Sequence, residues 1–105
     1  MKNKAINALI EMGVDAGNKG FEYIVDAMVL YESDEIRNGK ITILYSKIAE
    51  MHNTSWQNIE RCIRYSLEYA LIKGKPKAVE KYLTMQKTTN GNLLHTLYWR
   101  LTQEE

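Results

Sequence analysis

The chain has 105 residues, 45% of them hydrophobic and 26% charged, with 14 Lys+Arg against 13 Asp+Glu, one Cys and one Pro. That is the size of one domain with its own core, over 1–105, too apolar and too evenly charged for a disordered chain. Its apolar runs are too short for a membrane span, its N-terminus is not a secretory signal, and one cysteine forms no internal disulfide, so cytoplasmic residence is the default.

The expected elements are helices parted by short turns. Ile6, Leu9, Ile10 and Met12 predict a first helix ending at Gly13. Three glycines among residues 13–20 predict a loop. Phe21, Ile24, Val25, Met28 and Val29 recur at helical spacing, and that helix should fade near Glu32-Ser33-Asp34. Asn38-Gly39 is a turn signal without alternating strands beside it, so a hairpin is disfavoured. Ile41, Leu44, Ile48 and Met51 form the next stripe, and Thr54 with Gln57 fits a capping box. Ile59, Cys62, Ile63, Ser66, Leu67 and Ala70 then give the longest helical pattern, with Gly74 suited to its cap and Pro76 to the next helix start. Val79, Tyr82 and Leu83 continue that helix, Thr88–Gly91 break it, and Leu93, Leu94, Leu97, Tyr98 and Leu101 form the last. The expectation is an all-α compact bundle of about six helices.

Charge is unevenly spread. Residues 1–39 hold 4 basic and 7 acidic side chains, whereas 40–75 hold 6 basic and 3 acidic. A local basic face can serve nucleic acid in a near-neutral chain. Inside that basic stretch, residues 48–65 carry the pattern of a helix-turn-helix. Ala49 is the small residue where two helices touch. Four residues on, Asn53 tolerates the left-handed conformation of the turn. Ile59 and Ile63 pack the second helix back on the first. On a helical wheel, Ile59, Cys62, Ile63, Ser66 and Ala70 share one face, while Gln57, Glu60, Arg61, Arg64, Tyr65 and Glu68 take the other. Arg61 can bond guanine O6 and N7 together, and Glu60 can accept from cytosine N4. Arg64 and Tyr65 can reach phosphates. Asn58 lies to one side, within reach of a base or phosphate. Polar surface helices are common, and on pattern alone a solvated face is about as good an explanation.

The chain resembles the C-terminal effector domain of the stage-zero sporulation response regulator (sporulation initiation factor A) family. Collinear elements carry the resemblance: Ile10-Glu11-Met12-Gly13-Val14; Lys19–Tyr23 leading to Asp26-Ala27; Gly39–Thr42; Leu44–Ala49; Asn53-Thr54-Ser55 with Ile59–Arg64; and Lys87–Asn90. The resemblance implies a six-helix fold that binds double-stranded DNA at a TGTCGAA-like element and regulates transcription. It implies a helix-turn-helix at about 44–73, with residues 55–73 as the recognition helix in the major groove. Asn58, Glu60 and Arg61 become the expected base contacts, and Ser55, Gln57, Arg64 and Tyr65 the expected backbone contacts. Departures are visible. Asn58 stands where the family tends to have a base-reading Arg, Tyr65 where it has His, and Trp56 where it has a small residue; Trp56 is expected to pack on the preceding turn. Asp15 and Gly17 replace a Pro and a His, and Ser46 replaces a Pro. The family protein carries an N-terminal receiver domain, whereas this chain starts at Met1 just before the effector region. The expectation is either a removed receiver domain or a stand-alone gene product without phosphorylation control.

No residue set predicts catalysis, a metal site or a cofactor. Cys62 is expected on a buried face without a partner, His52 at the turn is expected to be solvent-exposed, and His95 is expected to be exposed or half-buried. Tyr82 and Tyr98 fall at core spacing. The alternative function is a protein-interaction module that pairs with a full-length relative or RNA polymerase without reading DNA, through the acidic residues Glu22, Asp26, Glu32, Asp34 and Glu35. A homodimer on tandem sites is a further expected arrangement, through avidity.

Overall fold

In a computed structural model, which describes residues 1–104, the chain forms seven helices, with no strand among the described residues. They are α1 (Lys2–Met12), α2 (Lys19–Leu30), α3 (Asp34–Asn38), α4 (Ile41–His52), α5 (Trp56–Lys73), α6 (Pro76–Tyr82) and α7 (Asn90–Thr102). The all-α expectation holds, with one helix more than the periodicity suggested. The extra one is α3. It starts after an extended Ser33, carries Asp34 and Glu35 in its first turn and Arg37 in its last, and buries only Ile36. Those charges complement the helix dipole, but five residues are too few to show a period. The disfavoured hairpin at Asn38-Gly39 is a helix-to-helix turn.

One apolar core joins the helices. Ile24 of α2, Leu44 and Ile48 of α4, Ile59 and Ile63 of α5 and Leu94 of α7 are completely buried. Tyr82 and Tyr98 are buried as their spacing predicted. Ile10, Val29 and Met51, which spacing assigned to apolar stripes, are exposed at the stripe edges. Helix α1 buries Leu9 and Met12 as their spacing predicts, and Ala5 and Ala8 beside them.

Two glycines set the positions of helices. A Cβ on Gly20 would lie 1.9 Å from Ser66 Oγ and 2.4 Å from the Cys62 carbonyl oxygen, so α2 and α5 cross there at backbone distance. Gly74 ends α5 in extended backbone, φ −69° and ψ 169°, and not in a left-handed cap. Glycine is needed there because a Cβ would meet the Ala70 oxygen at 2.3 Å and the Met12 oxygen at 2.9 Å. The turn after it is tied to the end of α1, where the Lys75 amide donates to the Met12 carbonyl at 3.0 Å.

Candidate nucleic-acid interface

Helix α4 ends because Asn53 turns left-handed, with φ 53° and ψ 50°. It is the only non-glycine residue with positive φ among the described residues. The following amide, of Thr54, closes back on the Ala49 carbonyl at 3.0 Å, satisfying an orphan acceptor of α4. Ser55 is extended, and its Oγ accepts from the Asn58 amide at 3.2 Å. The cap is therefore Ser55, one residue later than the Thr54–Gln57 box read from the sequence. Thr54 Oγ1 instead accepts from Asn58 Nδ2 at 3.1 Å. A three-residue turn thus separates two helices whose inner faces, Leu44, Tyr45, Ile48 and Ala49 on α4 and Ile59 and Ile63 on α5, are buried.

The wheel drawn from the sequence describes α5 with one adjustment. Ile59, Ile63, Ser66 and Ala70 are buried, but Cys62 is only partly so. Ser55, Gln57, Arg61, Tyr65 and Glu68 are exposed, while Asn58, Glu60 and Arg64 are intermediate. The expected contact residues therefore share the outer surface of the first half of α5. That half is about 15 Å long, a length that fits a major groove.

Five of these side chains are already engaged with one another. Arg64 Nη1 donates to Glu60 Oε1 at 2.7 Å, one helical turn apart, and the Arg64 guanidinium lies 5.4 Å from the Tyr65 ring centroid. Arg61 Nη2 donates to Asn58 Oδ1 at 3.0 Å. The start of α7 seats beside Glu60. Asn90 Nδ2 donates to the Glu60 carbonyl oxygen and to Tyr45 Oη, both at 3.1 Å. Burial pushes the Tyr45 phenol up from its ordinary value, and its oxygen serves Asn90 as an acceptor. Between α5 and this loop runs an open cleft of about 520 Å³, lined by Tyr45, Glu60, Arg64, Glu68 and residues 88–91. Sequence spacing gave no sign of this junction, because its partners lie 30 and 45 positions apart.

His52 differs from expectation. It is not solvent-exposed: its Nε2 lies 2.6 Å from Asp26 Oδ2, and its ring meets Tyr23 edge-on at 4.9 Å. The pair ties the last turn of α4 to α2. Trp56, expected to pack on the preceding turn, remains 42% exposed at the start of α5. His95 is half-buried, between the carbonyls of Gly91 and Arg37. No helix among the described residues is long and apolar enough to cross a membrane.

A family model described as the sporulation initiation factor Spo0A C terminal matches residues 5–101. It covers nearly the whole chain, and the chain belongs to that family. This is a family of DNA-binding, transcription-regulating domains and not of enzymes. The resemblance read from the sequence is thereby borne out.

Proposed function

We propose that this member of the family is a sequence-specific transcription regulator that lays the first half of α5 in the major groove of a TGTCGAA-like element. The helix-turn-helix is α4, the turn at residues 53–55, and α5, with α5 as the recognition helix. Glu60 and Arg61 read bases. Ser55, Gln57, Arg64 and Tyr65 follow the phosphate backbone, and Asn58 stands beside the readers. The observation that carries this reading is the outward row of Gln57, Arg61 and Tyr65, exposed on a helix whose opposite face is locked into the core. The left-handed Asn53 supports it, because it turns the chain so that α5 starts at the surface. The roles divide by chemistry. A guanidinium fork matches the two acceptors of guanine, and a carboxylate accepts from cytosine but is repelled by phosphate. The Glu60–Arg64 pair serves both needs, since the arginine offsets the carboxylate's repulsion as α5 nears DNA.

Fluorescence anisotropy with a duplex bearing two TGTCGAA-type boxes, against a scrambled duplex, tests this reading. Preference for the boxes that survives near-physiological salt is expected. Equal binding that vanishes with salt would overturn it. The backbone role of Arg64 has its own signature. Arg64→Ala is expected to weaken binding to both duplexes and to lower the slope of log affinity against log salt by about 1, as one lost phosphate contact does. An unchanged slope would remove Arg64 from the backbone.

A further inference from the structure

We propose that Asn58 is a positioning residue for Arg61, setting the chain's sequence preference through that arginine and reading no base itself. The inference rests on the reading of α5 as the recognition helix and deepens it.

Asn58 occupies the third position of α5, and its polar atoms are engaged with neighbours along the helix start. Its main-chain amide donates to Ser55 Oγ at 3.2 Å. Its side-chain Nδ2 donates to Thr54 Oγ1 at 3.1 Å. Its Oδ1 accepts from Arg61 Nη2 at 3.0 Å and lies 3.6 Å from Cys62 Sγ. The amide orientation follows from these partners. Turned over, the NH₂ group would face a guanidinium and a thiol, and the oxygen would lose both donors. The side chain is short and only partly exposed, whereas Arg61, one turn on, is exposed.

The consequence concerns Arg61. An exposed arginine has many rotamers, and fixing it on a base costs entropy at the moment of binding. Asn58 removes part of that cost beforehand by holding one N–H of the guanidinium. Four of the five N–H groups stay available, enough for a two-pronged contact with guanine. Thr54 holds Asn58 in turn, so the chain of contacts runs from the turn to the reading group. A residue whose only acceptor oxygen is already shared by two donors gains little by turning to a base.

The test starts by selecting a duplex from a random-sequence library with the wild-type chain. Affinities for that duplex and for a scrambled one are then measured for wild type, Asn58→Ala, Arg61→Ala, the double variant and Asn58→Asp. Urea midpoints verify that each is folded. Asn58→Ala is expected to lower the ratio of selected to scrambled affinity by about 3- to 10-fold. In the Arg61→Ala background the same change should have no further effect. Asn58→Asp, which keeps the acceptor oxygen, should keep the ratio near that of wild type. Losses that multiply in the double variant would show a base contact of Asn58's own and overturn the inference, as would an Asn58→Asp ratio as low as that of alanine. If the library yields no enriched sequence, the sequence-reading function itself fails and the inference falls with it. An enriched sequence with multiplying losses overturns the inference alone.

Discussion

Arg61→Ala is expected to cost about 1–3 kcal/mol of binding to a specific duplex, the worth of one two-pronged arginine–guanine contact, and much less on a scrambled duplex. The side chain is exposed on the outer face of α5, and its recorded partner, Asn58, lies on the same helix. Its removal therefore leaves the core untouched, and the loss falls on recognition. Arg61→Lys separates charge from geometry. Lysine keeps the positive charge but loses the planar fork. It should preserve the salt dependence while preference falls nearly as far as with alanine. Competition anisotropy with specific and scrambled duplexes measures both variants. Equal losses on the two duplexes would mean that Arg61 contributes only charge.

Gly20→Ala is expected to destabilise the fold by forcing α2 away from α5. The new Cβ would sit 1.9 Å from Ser66 Oγ, 2.4 Å from the Cys62 oxygen and 2.8 Å from Ser66 Cβ. Rotating Ser66 relieves the first contact. The second is to backbone, and only separation of α2 from α5 relieves it. Overpacking of this kind costs about 1–3 kcal/mol and occasionally more. For a domain of about this size that lowers the melting temperature by roughly 4–8 °C per kcal/mol. Because α5 moves with the strain, DNA affinity should fall with stability. Gly17→Ala is the control. It is exposed, and its nearest contact would be the Asp15 side chain at 3.4 Å, so its urea midpoint should match wild type. A Gly20→Ala midpoint equal to that of Gly17→Ala would mean that the helices do not meet this closely.

The parts of the fold that were legible are those set by local chemistry. Asn53 was readable as a left-handed turn because few residues other than glycine visit that region, and its φ of 53° agrees. The inner face of α5 was readable because eighteen residues give a clear period. The cap is ambiguous in the sequence because Thr54 and Ser55 are both competent caps, and the choice falls to Asn58, whose amide goes to one and whose side chain goes to the other. Helix α3 is not legible in the sequence because a single buried Ile36 carries no periodicity. The remaining gaps are long-range. His52 looked exposed from its place at a helix end, and only the approach of α2 supplies Asp26. Nothing near Glu60 in the sequence announces a tertiary partner, and only the return of α7 brings Asn90 onto its carbonyl oxygen. The residue types of the candidate interface and the spacing of its pairs along α5 are thus visible in the sequence, while the junction with Asn90 and Tyr45 requires the packed structure.

The central claim is that the outer face of the first half of α5 lies against DNA. A titration of ¹⁵N-labelled protein with a duplex carrying a TGTCGAA-type box, followed by amide chemical shifts, tests it most directly. The largest shifts are expected from Asn58 to Tyr65. Largest shifts along the acidic residues between Glu22 and Glu35, or no shifts at any salt concentration, would contradict it.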